Sequence, residues 1–257
     1  MNTALRRVIF FIALLALWEI SYRLNLHLEF TPVRSFPNVL GVLEQLYIGF
    51  FGEHKILLFA VLTSMKRLIV GFILALIIGT LLGIMLARYK VVDETLGALI
   101  IALQSIPSIV WLPLAMIWFG RNDMAIIFIM VIGGTWSMAL NTRMGFKNVQ
   151  PLLIKAAQTM GYSGFPLFRK VMFPASIPYA LTGARLAWAF NWRALIAAEL
   201  LATGGLGHTL QYAADFFNMN LVVAIMVIIS ILGIIADQLF FQRVEKRVLT
   251  RWGLERA

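Results

Sequence analysis

Cysteine is absent from the 257-residue chain, charged residues are scarce, and the three histidines lie far apart. Without cysteine the chain has no disulfides and no thiolate metal sites, and His27, His54 and His208 form no metal-binding cluster. Only 13% of the residues are charged and 61% are hydrophobic, whereas a soluble domain has about 25% charged and about 45–50% apolar residues. The composition therefore indicates an integral membrane protein, for which we expect neither a metal nor another cofactor.

The chain also lacks the motifs of an enzyme. No stretch has the form G-x-x-x-x-G-K-[ST] that binds nucleotide phosphates. The glycine-rich run at 203–209 has no suitably placed lysine and is expected to form a turn. No nucleophile, base and orienting acid occur together in a motif. We therefore predict a non-catalytic protein that takes any energy it needs from a partner.

Six segments are apolar and long enough to cross a membrane as helices. They are 3–22, 68–87, 96–119, 124–140, 175–202 and 221–241. The predicted fold is all-α, a polytopic membrane protein with six transmembrane helices. We divide it into a first helix with its external loop (1–55), a transmembrane domain (56–245) and a basic tail (246–257). Residues 23–55, with Pro32 and Pro37, are expected to be an irregular polar segment outside the membrane.

The excess of basic residues, 22 Lys and Arg against 12 Asp and Glu, sets the orientation. Cytoplasmic segments of membrane proteins are enriched in Lys and Arg. With both termini inside, these segments hold fourteen of the 22: Arg6, Arg7, Arg88, Lys90, Arg143, Lys147, Lys155, Arg169, Lys170, Arg243, Lys246, Arg247, Arg251 and Arg256. We therefore predict cytoplasmic termini and contact with anionic lipid, not with nucleic acid.

The long cytoplasmic loop at 141–174 is predicted to contain two short helices. Pro151 is suited to the first turn of a helix, and Gly161 is suited to end that helix in the left-handed conformation. Pro166 would start the second helix, and Pro174 and Pro178 would mark the beginning of the fifth span. The loop carries cations and large apolar side chains but no acid, which indicates a docking surface.

Within this loop, the run KAAQTMG at 155–161 is followed after nine residues by VMFP at 171–174. The pattern resembles the EAA loop of ATP-binding-cassette (ABC) importer permeases, E-A-A-x-x-x-G, nine residues, I-x-L-P. Lys155 departs from it by reversing the charge of the usual glutamate. The runs WLPLAMIWFG at 111–120, TGARLAWAFNWRALIAAELLATGGLG at 182–207 and IADQLFFQRVEKRVLTRW at 235–252 are similar to the nitrate, sulfonate, taurine and bicarbonate branch of that family.

The resemblance implies the type I importer fold, with five core helices and a peripheral first helix. It implies a permease subunit in the inner membrane that pairs with a second copy and with two cytoplasmic ATP-binding subunits. An external solute-binding protein would deliver a small anion. The short helix of the loop would couple the ATPase to the membrane spans. The coupling residues implied by the match are Lys155, Ala156, Ala157, Gly161 and Pro174.

Polar and charged residues inside apolar spans are the candidates for the translocation path, because ionisable groups at membrane depth are usually functional. Pro107 and Pro113 favour kinks or a broken helix in the third span, and irregular backbone is tolerated only against protein or a cavity. The path candidates are Gln104, Ser108, Asn191, Arg193 and Glu199. Two alternatives stay open for Arg193, contact with the passing anion or a structural cation bonded to another span. Arg185 is expected to be structural, and the simplest role for Glu199 is hydrogen bonding at a helix end.

A self-contained secondary transporter or channel is the alternative function. Such carriers often have two related halves and paired intramembrane carboxylates. Here Glu199 is the one acid deep in an apolar span, since Glu19 and Asp237 lie near span ends. A coupling loop would also have no role in such a carrier, so the importer permease is the preferred hypothesis.

Overall fold

The computed structural model describes residues 3–28, 32 and 36–251, and the regular structure in these residues is helical. The α-helices are α1 (Thr3–Leu28), α2 (Val39–Phe51), α3 (Ile56–Arg88), α4 (Lys90–Gln104), α5 (Leu112–Phe119), α6 (Asp123–Lys147), α7 (Pro151–Thr159), α8 (Gly164–Leu167), α9 (Phe173–Glu199), α10 (Leu206–Asp215), α11 (Met219–Ile235) and α12 (Gln242–Arg251). A 3₁₀ turn (Ser108–Trp111) precedes α5, and π-helical turns (Phe168–Met172 and Ala236–Phe241) precede α9 and α12.

The all-helical membrane fold is confirmed, but the count of six spans is not. Four helical stretches in the described residues are long and apolar enough to cross a membrane: Leu5–Leu28, Ile56–Arg88, Asp123–Lys147 and Met219–Val248. A bent pair, Lys90–Gln104 with Ser108–Phe119, would make a fifth. The predicted span at 175–202 is the 27-residue helix α9, which is not among these apolar stretches and carries Arg185, Arg193 and Glu199.

The third predicted span is broken, as Pro107 indicated. Helix α4 ends at Gln104, and the chain then turns by 93° before Ser108–Phe119. Pro107 has no N–H to continue the hydrogen-bond ladder of α4. Its carbonyl accepts a hydrogen bond from the Val110 N–H in the next turn (2.9 Å). The break places Gln104 and Ser108 on either side of a bend instead of on one continuous helix.

The expectation of an irregular segment at 23–55 was wrong. Helix α2 occupies Val39–Phe51, and Asn38 caps it by accepting a hydrogen bond from the backbone N–H of Gly41. An asparagine followed by an apolar run is a helix start signal. The prolines at 32 and 37 precede this cap and therefore do not interrupt the helix.

Helix α9 begins at Phe173, beside Pro174, as the prolines indicated, but no break separates it from the second loop helix. The backbone stays helical from Gly164 to Glu199, with the π-helical turn Phe168–Met172 just before Pro174. A π-helical turn shifts the hydrogen-bond register, and the Phe173 N–H donates to Phe168 O. The wider turn allows the helix to continue through residues that lack a backbone donor.

The chain divides into two compact units, which interleave along the sequence. The first comprises Met1–Ser64 and Glu199–Ile231. Within it, Trp18 Nε1 donates to Pro37 O (3.0 Å), and the Asn38 N–H donates to Asn220 Oδ1 (3.0 Å). These bonds connect α1 to the start of α2, and the start of α2 to the start of α11.

The second unit comprises Met65–Ala198 and Leu232–Ala257. Its core includes the mutually perpendicular rings of Phe72 and Trp188, whose centroids are 5.1 Å apart, and Phe241 packs on both. A Cβ on Gly79 or Gly83 of α3 would lie 2.7 Å or 2.6 Å from a carbonyl oxygen of α6. Small residues therefore let α3 and α6 pack with their backbones close together, as in other membrane helix pairs.

Candidate functional site

The predicted coupling helix is present as α7, with the bounds that its proline and glycine indicated. Pro151 is its first residue, and Gly161 follows its end with a φ of +86°. The Gly161 N–H donates to Gln158 O (3.0 Å) and the Tyr162 N–H donates to Ala157 O (3.0 Å). This pair of bonds is the Schellman motif, which satisfies the last carbonyls of a helix and needs a residue at positive φ.

One face of α7 is packed and the other is open. Ala157 is buried, whereas Lys155 and Ala156 are exposed. The exposed apolar side chains on and beside the helix include Leu152 and Met160, at 76% and 75% exposure. An open surface that combines large apolar groups with a cation is typical of a protein contact site.

Aromatic packing attaches the residues that follow α7 to the end of α6. The rings of Phe146 and Phe168 are stacked with centroids 5.3 Å apart, and Lys170 Nζ lies 5.1 Å from the centre of the Tyr162 ring. Pro174, the last of the predicted coupling residues, is half-buried in the first turn of α9. The residues that follow α7 therefore pack on the end of α6 and continue into α9.

An ion-pair cluster stiffens the same end of α6. Arg143 Nη2 donates to Asp93 Oδ2 of α4 (2.9 Å), and Arg143 Nε and Lys147 Nζ also donate to this carboxylate. The Asp93 side chain is only 10% exposed. A bidentate arginine contact fixes geometry as well as charge, and it joins α4 to α6 beside the coupling segment.

Gln104 and Ser108 stand on the two sides of the broken span and both face α6. Gln104 is exposed, and its Nε2 donates to Ser137 Oγ at 3.3 Å. Ser108 is half-buried, and a Cβ on Gly133 would lie 3.2 Å from its Oγ. The polar side chains at the break therefore lie along one stretch of α6.

Asn191 is buried where α3, α6 and α9 approach each other. It is 0% exposed, and neither its side-chain oxygen nor its nitrogen has a hydrogen-bond partner in the described part of the chain. A Cβ on Gly134 would lie 2.5 Å from Asn191 Oδ1 and 2.9 Å from Ala75 Cβ. Its amide is thus enclosed by helix packing and not exposed to an open surface.

Two arginines of α9 have different surroundings. Arg185 donates through Nε and Nη2 to Asp237 (2.7 and 2.8 Å) and through Nη1 to Glu245 Oε2 (3.2 Å). This confirms the expected structural role and locates the partners on the last helical stretch. Arg193 is exposed, and within the described ranges no residue forms a hydrogen bond or ion pair with it.

Glu199 is fully buried at the end of α9, in the first unit. Ser64 Oγ lies 2.9 and 2.8 Å from its two oxygens, and the Gly207 N–H donates to Oε2 at 3.0 Å. The sequence indicated hydrogen bonding at a helix end, and these contacts agree with it. Ser64 was missed, since a serine within an apolar helix carries no signal of a partner 135 residues away.

The five path candidates are divided between the two units. Gln104, Ser108, Asn191 and Arg193 belong to the second unit and Glu199 to the first. Among the residues that the structure describes, no group of three or more His, Asp or Glu side chains is arranged to hold a metal ion. The described residues thus offer an exposed short helix with apolar and cationic side chains (α7), polar side chains on both sides of the bend between α4 and α5, and an exposed arginine, Arg193, on α9.

Comparison with known proteins identifies similar sequences. The family described as "Binding-protein-dependent transport system inner membrane component" matches residues 79–250. A putative ABC transporter permease of Methanocaldococcus jannaschii is 38% identical over 202 residues, which are 78% of this chain and 75% of that protein. The nitrate import permease NrtB of Leptolyngbya laminosa is 28% identical (77% and 71% covered). The taurine transport system permease TauC of Escherichia coli is 31% identical (74% and 68% covered).

A solved structure has the same fold. A chain of the MetNI methionine ABC transporter, in an inward-facing conformation, superposes with a TM-score of 0.65 over 76% of this chain and 97% of that chain. The sequence identity is 20%. The likeness supports the arrangement of helices predicted for a type I importer permease.

Proposed function

The chain belongs to the family of binding-protein-dependent transport system inner membrane components, and from this membership we propose that it forms the translocation path of an ATP-driven importer for a small anion. As a multi-pass inner-membrane component of such a system, it is a transport subunit. ATP hydrolysis takes place on partner subunits in this proposal. Residues 56–245 form the transmembrane domain, between the first helix with its connection (1–55) and a basic tail (246–257).

The observation that carries the proposal is the exposed helix α7, which begins at Pro151 and closes on Gly161. Residues 148–198 contain no acid, so the docking surface is cationic as well as apolar. We assign the coupling contact to Lys155, Ala156, Ala157, Gly161 and Pro174. In this role α7 lies in a groove of the ATP-binding subunit, and its attachments to α6 and α9 transmit movement.

The complete importer contains two copies of this chain, two ATP-binding subunits and an external solute-binding protein. Both termini lie in the cytoplasm, because this orientation puts fourteen of the 22 basic residues on the cytoplasmic side. In the same orientation α7 is cytoplasmic, where it can reach an ATPase. Homodimeric assembly supplies the second wall of the path.

The path for the anion includes Gln104, Ser108 and Arg193 on its surface. Arg193 is exposed on α9, and a cation attracts an anion strongly in surroundings of low dielectric constant. Asn191 and Glu199 are buried and support the wall of the path instead of facing it. The relatives named for nitrate and taurine transport favour nitrate or an organic sulfonate as the substrate class.

Reconstitution tests this function directly. The chain is expressed with its ATP-binding subunit, reconstituted into liposomes and supplied with the binding protein, and uptake of nitrate and of taurine is measured. We expect uptake of at least one of these anions that requires ATP and both partners. Uptake by the chain alone, driven by an ion gradient, would instead identify a secondary transporter.

A further inference from the structure

The carboxylate of Glu199 is held by hydrogen bonds inside the first unit. Glu199 is the last residue of α9 and is 0% exposed. One of its oxygens accepts from the N–H of Gly207, in the first turn of α10, and both lie within hydrogen-bond distance of Ser64 Oγ on α3. The contact therefore connects the end of α9, the start of α10 and the N-terminal third of α3.

The Ser64 hydroxyl completes the contact by acting as both a hydrogen-bond donor and an acceptor. Its single proton is directed to the Glu199 carboxylate, while its oxygen accepts from the Leu206 N–H at 2.8 Å. The first N–H groups of a helix have no partner within the helix. The N-terminal end of a helix also carries a partial positive charge, which favours a nearby carboxylate. Ser64 and Glu199 thus satisfy the first two N–H groups of α10.

Gly205 makes this close approach possible. It has a φ of +95°, and a Cβ built on it would lie 2.1 Å from Glu199 Oε1. Any side chain at this position would both strain the backbone and displace the carboxylate. The backbone before α10 is therefore shaped to admit the carboxylate.

We propose that Glu199 is a positioning residue for transport: with Ser64 it fixes the first turn of α10, and it does not contact the transported anion. Helix α10 connects α9 to the apolar helix α11, so its position determines where α11 begins. An anion would also be repelled by a carboxylate whose buried oxygens already accept hydrogen bonds. This inference rests on the proposed transport function only for its effect on uptake.

Amide hydrogen exchange on the assembled complex tests, independently of transport, whether Ser64 and Glu199 hold the first turn of α10. The variants are Glu199→Gln, Ser64→Ala and Gly205→Ala, and the control is Glu44→Gln, which neutralises an exposed carboxylate in the same unit. We expect exchange in residues 206–210 to accelerate about tenfold or more in the three variants. Exchange in α7 is expected to stay at the wild-type rate, as is exchange throughout the control.

Uptake kinetics supply the functional readout. If Glu199 acts through α10, all three variants lower the maximal uptake rate at least tenfold and leave the KM for the anion unchanged. A change in KM confined to Glu199→Gln, with normal exchange in α10, would mean that Glu199 contacts the anion, and the proposal would be wrong.

Two further outcomes would contradict the proposal that Ser64 and Glu199 hold the first turn of α10. Unchanged exchange at 206–210 in all three variants would show that these contacts do not hold α10, and accelerated exchange in every helix would show general destabilisation. If the wild-type complex takes up no anion, the proposed function fails, while the exchange data still decide whether Glu199 holds α10.

Discussion

Replacement of Gly161 tests whether the geometry of α7, the proposed coupling helix, is needed for transport in addition to its surface. Gly161 has a φ of +86°, and no atom lies within 4 Å of a Cβ built on it. A side chain therefore meets no steric obstacle, and the effect of a substitution comes from the backbone. For a residue other than glycine this left-handed conformation costs about 1–2 kcal/mol.

This cost predicts an order that does not follow side-chain size. Valine is β-branched and should be worst at Gly161, alanine intermediate, and asparagine mildest, because asparagine tolerates the left-handed region. A penalty of about 1–2 kcal/mol reduces the population of the closed Schellman turn about 5- to 30-fold relative to open forms. We expect ATP-driven uptake to fall in the order Asn, Ala, Val, while membrane insertion is unchanged.

The assay compares uptake per ATP hydrolysed in proteoliposomes that contain the binding protein. Gly233→Ala is the control, since Gly233 lies in a helix without positive φ, and its Cβ would have only Trp192 Nε1 nearby, at 3.8 Å. Asparagine is larger than alanine. If Gly161→Asn were more harmful than Gly161→Ala, the effect would come from the surface against which the helix docks, and the conformational argument would be refuted.

Four other substitutions test the charges. Arg193→Met should abolish anion uptake without loss of assembly, as judged by copurification of the ATP-binding subunit, and unchanged uptake kinetics would remove Arg193 from the path. Arg185→Met and Asp237→Asn should each lower the thermal unfolding temperature of the purified complex, and a double-mutant cycle should give a coupling of about 1 kcal/mol because both side chains are partly exposed. Additive effects would show that this ion pair contributes no stability. If the groove of the ATP-binding subunit is acidic, Lys155→Glu should weaken binding of that subunit at low salt. The difference in affinity between the variant and the wild type should then decrease as salt is added. Tighter binding by the variant would show that the groove is not acidic.

Local signals in the sequence predicted the bounds of α7 well. Pro151 and Gly161 act on the residues next to them, so the bounds of α7 follow from backbone chemistry alone. Pro107 likewise predicted the broken span. Helix α2 was missed because Pro32 and Pro37 were given more weight than the cap at Asn38 and the apolar run after it.

Partners distant in sequence could not be predicted in the same way. Arg185 and Asp237 are 52 residues apart, and Ser64 and Glu199 are 135 apart. Helical periodicity states which face of a helix a residue occupies, but not which helix packs against that face. Serine is also common in membrane helices as a donor to its own backbone, so Ser64 could not be distinguished from Ser230, which bonds to Met226 O.

The three ionisable residues of α9 differ in how their charge is compensated, and from this difference we infer which of them has a structural role and which a transport role. Arg185 is paired with two carboxylates, and Glu199 accepts from a hydroxyl and from a backbone N–H at a helix N-terminus. Arg193 is exposed and has no such partner within the described ranges. An uncompensated cation at membrane depth is costly, so it is retained where something outside the chain compensates it. In the proposed importer the passing anion compensates the charge of Arg193. Substitution of Arg193 should therefore affect uptake of the substrate and not assembly.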